Sequence, residues 1–486
     1  MNEVLITNSY FYRLDPKQWR FQQPYPPLGT LQAAAVVRNA GFSTHFFDAS
    51  LTRGPGEIAA VLSAQSPDVL VIYEDGFNYL TKMCLTVMRE AAFTMSGSAK
   101  KQGCIVIICS SDASDHFEKY FDHGVDYVIR GEGEESLREL LVCLRQKGDV
   151  SQLPGIAFRV NGKSRVAPPR PVLRDLDSLP HPAWDLIDLA PYSELWQRRH
   201  GYFSLNIATT RGCPYKCNWC AKPIYGNRYN SRSPEHVVAE IEFLLQTQRP
   251  SHFWMSDDIF GLKPNWILRF HELTARKRLS FRYKIQSRAD LLSEEEPVKA
   301  LAASGCDTVW LGAESGSQKI LDAMDKGITI EQIRKATSLL KRHNIKVGYF
   351  LQFGYPGETS TDIEMTIRMV LEQLPDEIGI SVSYPLPGTK FYEDVKSQLQ
   401  EKQNWKDSDD LAMMYKNAFP AAYYKILQRY VHSRYRIRRG INRITALVEK
   451  PGMQAGDIRK IASLLYHLPV SLIQSYQLKR LESMHG

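Results

Sequence analysis

The sequence predicts an α/β protein in three parts: a Rossmann-like doubly wound parallel sheet, a partial (β/α)6 TIM-like barrel, and a helical C-terminal extension. Three observations predict it. Strand and helix patterns alternate through residues 1–150, they alternate again through 201–395, and the alternation stops after Gly388. Strands separated by helices imply parallel sheets covered on both faces.

Each element has its own warrant. Val4–Thr7 is a short apolar strand. Leu28–Asn39 is helical, and Gly41 stops it. Thr44–Asp48 is a strand and Gly56–Gln65 a helix. Val69–Tyr73 follows Pro67-Asp68 with the continuous apolar run of a buried strand. Tyr79–Met95 is helical. Ile105–Cys109 and Tyr127–Ile129 are strands on either side of a helix near Ser114–His123, and Glu134–Gln146 closes the set. No G-x-G-x-x-G follows the first strand, which speaks against a dinucleotide site. Residues 151–200 read as a connector. It opens with a hairpin turning at Asn161-Gly162. Pro168, Pro169, Pro171, Pro180 and Pro182 then exclude regular structure. The barrel strands are Leu205–Thr210, His252–Ser256, Phe281–Gln286, Thr308–Gly312, Lys346–Phe353 and Ile378–Tyr384, with helices between them. Chemistry in such a fold belongs at the carboxyl ends of the strands. Residues 396–486 read as helical.

The chain has 486 residues, 43% hydrophobic and 23% charged, which excludes wholesale disorder. No run of about 18 apolar residues occurs, so no ordinary transmembrane helix is expected. The first residues enter a strand with no signal-peptide pattern, and a cytoplasmic location is the expectation. The net charge of +8 is concentrated: residues 411–486 hold 13 Lys and Arg against 3 Asp and Glu. The body is near neutral, so overall charge is no argument for nucleic-acid binding.

Five of the eight cysteines are scattered, most of them in apolar stretches, and read as small core residues. The other three are Cys213, Cys217 and Cys220 in Thr209-Thr210-Arg211-Gly212-Cys213-Pro214-Tyr215-Lys216-Cys217-Asn218-Trp219-Cys220. Three thiolates in one strand-ending loop can hold three irons of a [4Fe–4S] cluster and leave the fourth open. A zinc knuckle is the other reading, but His200 and His236, the nearest histidines, are poorly spaced as a fourth ligand.

This C-x3-C-x2-C loop, with Trp219 before its last cysteine, resembles the signature of the radical S-adenosylmethionine enzymes. The likeness continues at Trp254–Phe260, Gln286–Asp290, Gly312–Ser317, Phe353–Thr359 and Tyr384–Thr389. It implies a [4Fe–4S] cluster on Cys213, Cys217 and Cys220. It also implies S-adenosylmethionine held by Trp219, Asp257, Asp258, Arg288, Glu314, Ser315 and Gln352. For Asp257, Asp258, Glu314 and Glu358 the alternative is structural, as helix caps or ion-pair partners. Ser315 and Ser317 are alternatively N-caps. Glu314 ends a strand at the reactive face, which favours function, whereas Glu358 favours a structural role.

Pro26–Gly29, Phe46–Asp48 and Ile129–Glu134 resemble the cobalamin-binding domain that precedes many of these barrels. The resemblance implies cobalamin near Leu28, Tyr73, Glu74, Ser110, Ser111, Gly131 and Glu132. The D-x-H-x-x-G motif is absent, so no histidine is expected on cobalt. The implied activity is cobalamin-dependent methylation of an unactivated carbon. One alternative is an oxidative cyclase like the anaerobic magnesium-protoporphyrin ester cyclases. Another, from a different class, is a non-catalytic cluster- or cobalamin-binding protein. The implied partners are a small-molecule or lipid-like substrate and an electron donor such as flavodoxin or ferredoxin. No residue is assigned a catalytic role. The tail interleaves Arg434, Arg436, Arg438, Arg439 and Arg443 with tyrosines. Its expected form is an amphipathic helix on the barrel, with peripheral membrane contact as a variant and no nucleic-acid partner.

Overall fold

The computed structural model describes residues 1–83, 85–220, 224–399, 404–449 and 455–484. The first sheet contains β1 (Glu3–Thr7), β2 (Ser43–Phe47), β3 (Val69–Tyr73), β4 (Ile105–Cys109), β5 (Tyr127–Ile129), β6 (Ile156–Val160) and β7 (Lys163–Val166). Their spatial order is 2-1-3-4-5-6-7. The first five are parallel, and the β6–β7 hairpin adds antiparallel to β5. The sheet therefore runs past residue 150. Asn161 and Gly162 both have positive φ, the geometry a tight two-residue hairpin turn needs. Side-chain alternation divides the sheet's apolar residues cleanly. Leu5, Leu70, Ile72, Val106 and Ile108 pack on one face. Val4, Ile6, Val69, Val71 and Ile107 pack on the other.

The connector is more ordered than its prolines predict. A helix spans Ala190–His200, with Pro191 in its first turn and Gly201 closing it at φ 78°. A proline there loses no hydrogen bond, because first-turn N–H groups have no helical partner. Trp184 and Trp196 are fully buried in a cluster that runs without a break into the barrel.

The barrel comprises β8 (Ser204–Ile207), the short ribbon of β9 (Thr210–Arg211) and β10 (Asn230–Ser231), then β11 (His252–Met255), β12 (Arg282–Ser287), β13 (Cys306–Glu314), β14 (Lys346–Phe353) and β15 (Glu377–Val382). Its six parallel strands follow the order 15-14-13-12-11-8. Among the described residues β15 and β8 are not paired, so the barrel is partial.

Beyond the barrel the expectation of continuous helix fails at residues 404–420. Asp407 and Asp410 accept hydrogen bonds from nearby backbone N–H groups and so hold that stretch in turns. The segment is a strap. The Thr86 N–H donates to Trp405 O at 2.8 Å and Ser408 Oγ donates to Asp15 at 2.7 Å, both on the first domain. Further along, Tyr415 and Asn417 donate to Gly354 O, just after β14. A hairpin of two long helices, Ala421–Glu449 and Ala455–Ser483, follows. Among the described residues no helix is long and apolar enough to cross a membrane.

Trp196 ties the connector to the first domain: its Nε1 donates to Pro24 O at 2.7 Å, and its ring packs on Tyr25 and Tyr202. Trp196→Ala is expected to cost about 3–5 kcal/mol. The urea midpoint of the main unfolding transition measures it, and an unchanged midpoint contradicts the assignment.

Candidate active site

The three-cysteine loop is rooted by one buried carboxylate. Asp257, just after β11, accepts from Thr209 N at 2.6 Å, Thr209 Oγ1 at 2.6 Å and Thr210 N at 2.8 Å. Burial pushes its carboxyl up to about 6 against the pull of these donors. Asp257 thus holds the backbone at the root of the loop. Gly212 then turns at φ 77°, where a Cβ would lie 2.1 Å from Arg228 O, so no other residue fits. Cys213 is buried, while Cys217 and Cys220 are half-buried.

The far side of the loop is pinned by Asn218. Its N–H donates to Met324 O at 3.1 Å and its Nδ2 to Ala323 O at 2.8 Å. It accepts from Tyr355 Oη at 3.0 Å. Arg288, at the end of β12, lies over the Tyr215 ring and directs Nη1 at Cys217 Sγ at 3.9 Å. Asp290 and Gly327 O fix the rest of that guanidinium. Trp219 packs against the cluster of Ile320, Met324 and Tyr355, yet its indole N–H is buried with no acceptor.

Glu314 ends β13 at φ 56°, beside a register shift in the β13–β14 ladder. A glutamate in the left-handed region costs on the order of 1 kcal/mol and persists only where the surroundings hold it. Here a buried ion pair does so: Lys326 Nζ donates to Glu314 at 2.7 Å, both side chains being under a tenth exposed. Burial opposes the charge on Lys326, while Glu314 and then Cys217 favour it, and the result is raised. Two cations therefore flank the Cys217 thiol.

Other expected residues are engaged in the framework. Ser315 Oγ accepts from Ser317 N and meets Thr366 Oγ1, which makes it a turn residue. Asp258 accepts from Lys82 Nζ of the first domain at 2.7 Å. Gln352 is buried and donates to Ser383 Oγ. Glu358 accepts from Gly354 N at 2.6 Å and shapes the turn after β14.

The first domain meets the cysteine loop through Arg211. This fully buried guanidinium pairs with Glu132 at 2.5 Å and Glu134 at 2.7 Å, both in the segment after β5. It also lies over the rings of Phe77 and Tyr225, which stack on each other across the interface. Glu132 also accepts from Leu173 N, which holds it in this junction. Ser110 caps the helix after β4 by accepting from Ala113 N. Leu28 is buried at the start of its helix, and Tyr73 and Gly131 flank Cys109 beneath the junction.

Glu74 and Ser111 stand differently. They follow β3 and β4 at the carboxyl end of the sheet, where parallel α/β sheets bind ligands. Glu74 Oε2 and Ser111 Oγ are buried with no partner, and so is Asn8 Oδ1 after β1. Ser9 ties β1 to β3 there by donating its N–H and hydroxyl to Glu74 Oε1. Burial pushes the Glu74 carboxyl up to about 7. Asn8, Arg211, Asn218 and Lys326 were not singled out from sequence. Arg211 lies inside the quoted loop, but the partners that give it meaning are about eighty positions away.

A cavity of about 510 Å³ opens inside the barrel at the amino ends of β11, β12, β13, β14 and β15. Its Lys284 Nζ faces the rings of Tyr25 and Trp254.

The donor set fits an iron–sulfur cluster: three thiols on one loop, two adjacent cations, and a buried indole N–H awaiting an acceptor. No group of three or more His, Cys, Asp or Glu among the described residues is close enough to hold a single metal ion. The orphaned atoms of Asn8, Glu74 and Ser111 fit a polar ligand at the first sheet's carboxyl edge.

Comparison with known proteins agrees. Residues 207–370 match the Radical SAM superfamily. An uncharacterized methyltransferase of Pyrococcus horikoshii is 29% identical over 394 residues, covering 78% of this chain and 81% of its own. The anaerobic magnesium-protoporphyrin IX monomethyl ester cyclase of Synechocystis is 26% identical, covering 76% and 73%. The fold is shared with the cobalamin-dependent S-adenosylmethionine radical enzyme OxsB, solved with aqua-cobalamin and S-adenosylmethionine bound. The TM-score is 0.75 at 17% identity, covering 99% of this chain and 72% of that one.

Two outcomes follow from this geometry. Arg211→Met strands two buried carboxylates and is expected to cost about 3–5 kcal/mol in chemical denaturation. Adding Glu132→Gln and Glu134→Gln should recover most of that loss; no recovery contradicts the junction. The second concerns pH. Folded Glu74 keeps its proton up to about pH 7, whereas an ordinary glutamate loses it near 4.5. The folded state therefore binds more protons between those values, and its stability falls as pH rises through them. Glu74→Gln lacks this slope, so wild type should lose ground to the variant from pH 4.5 to 7. A flat difference contradicts the buried, raised carboxyl.

Proposed function

From the radical SAM domain at residues 207–370, we propose that the chain is a cobalamin-dependent radical enzyme that methylates an unactivated carbon. One observation carries this reading. Buried Arg211, two residues before Cys213, is bonded to the segment after β5, at the carboxyl end of the first sheet. A cluster loop and a cobalamin-type sheet edge then face one another across a junction that excludes water. A radical formed at one and a methyl group held at the other need that short separation and fixed orientation.

When bound, the cluster would supply the electron that splits S-adenosylmethionine into methionine and an adenosyl radical, and cobalamin, methylated by a second S-adenosylmethionine, would supply the methyl group. The rest is the protein's part. Cys213, Cys217 and Cys220 hold three irons, and Arg288 and Lys326 offset the thiolate charge. Glu314 and Arg288 line the strand ends where the methionine and ribose groups belong, with Lys326 setting the Glu314 carboxylate. Asp257 and Asn218 hold the loop at its two ends. Asn8, Glu74 and Ser111 offer polar atoms to the corrin's substituents. The domain's histidines are not at that edge: His45 is on β2, and His116 and His123 lie on and just past the helix after β4. An electron donor of the flavodoxin or ferredoxin type completes the requirement.

The similarity to the ester cyclase supports a second reading, radical cyclisation with the same two domains. Anaerobic incubation with methyl-labelled S-adenosylmethionine separates the two. Methylation puts label in the product; cyclisation forms 5′-deoxyadenosine without it. The Cys213→Ala, Cys217→Ala, Cys220→Ala variant should lose about four irons per chain, and unchanged iron content contradicts the proposal. Glu314→Gln should keep its iron but bind S-adenosylmethionine more weakly by about 1.5–3 kcal/mol, read by calorimetry. Unaltered affinity returns Glu314 to a structural role.

A further inference from the structure

The C-terminal hairpin carries a surface that the radical chemistry does not use. Its two helices pack closely: a Cβ on Gly440 would lie 2.7 Å from the Leu464 side chain. His467, Ser471 and Leu478 are buried on the inner side of the second helix. Its outer side is strongly apolar and uncovered. Leu465 is 81% exposed, Leu472 74% and Tyr476 70%, with Tyr466, Leu468 and Ile473 beside them. The spacing 465, 468, 472, 476 follows the helical repeat, so these residues form one stripe about 17 Å long. Soluble surfaces rarely leave such a contiguous patch without a use.

The charges around the stripe indicate what covers it. Lys479, seven residues after Leu472, and Arg480, four after Tyr476, are exposed at its carboxyl end on the same helical face. Glu482, the acid closest in sequence, is already engaged by Tyr423 Oη at 2.9 Å. Residues 461–481 contain no Asp or Glu, so a second copy packed through this stripe would offer Lys479 and Arg480 no counter-charge. An anionic bilayer complements them, because leucines and tyrosines enter the interface while Lys and Arg heads reach the phosphates.

We propose that the outer face of the helix Ala455–Ser483 docks the enzyme onto an anionic phospholipid surface, lying in the interface without spanning it. The proposal rests on this helix face alone and is independent of the reaction. Full-length protein is sedimented with phosphatidylcholine vesicles, with and without phosphatidylglycerol. The expected result is at least about tenfold more protein on the anionic vesicles, falling as salt is raised. The Leu465→Ser, Leu472→Ser, Tyr476→Ser variant should lose that binding while its circular dichroism is unchanged, and Lys479→Ala, Arg480→Ala should weaken it. Three outcomes overturn the proposal. The first is wild type in the supernatant with both vesicles, and the second is a serine variant that binds as well as wild type. The third is a dimer in sizing chromatography that the serine variant dissolves, with no vesicle binding, which assigns the face to a second copy.

Discussion

One buried guanidinium fixes the register in which the two halves of this molecule meet, alongside the Lys82–Asp258 pair and the strap. Arg211 is buried between Glu132 and Glu134 and roofed by the rings of Phe77 and Tyr225. Ion pairs at such depth contribute little net stability, since desolvation consumes most of the attraction. Their value here is register. A planar fork that must satisfy two carboxylates at once tolerates little rotation or slip. The loop bearing the three cysteines leaves from the very next residues, so its position relative to the first sheet is set where the chain can least move.

Much of the molecule was legible because it follows local rules. Apolar runs of five residues after Pro or Gly gave β3 and β4, and the parallel order followed from the intervening helices. The C-x3-C-x2-C loop was legible because its ligands are close in sequence. Asp257 shows the limit. A carboxylate after a barrel strand reads as a cofactor contact, and the two threonine N–H groups that also make it an anchor of the loop carry no pattern in the sequence. Lys326 and Asn218 carry no local pattern at all. Their roles depend on Glu314, Met324 and Ala323, which the fold brings alongside.

The connector and the tail were misread for opposite reasons. Five prolines before residue 190 suggested irregular chain up to residue 200, yet Pro191 begins a helix there. Past Gly388 the polar, aromatic composition suggested helix throughout, yet aspartates at 407 and 410 capture backbone donors first. A proline placed in a first turn decides the one, and side-chain competition for backbone donors decides the other, both on a scale finer than hydrophobic periodicity.

The strap at residues 404–418 links folding to time. Its Ser408 bonds to Asp15, 393 positions earlier in the chain, and its Tyr415 closes on the turn after β14. On a ribosome adding roughly 5–20 residues per second, the cysteine loop exists for about ten to forty seconds before Ser408 is made. Through that interval the first sheet and the barrel strands can form, but the clasp across them cannot. The nascent chain thus passes through a stage in which its cysteine loop is made and the strap that clasps the first domain to the turn after β14 is not.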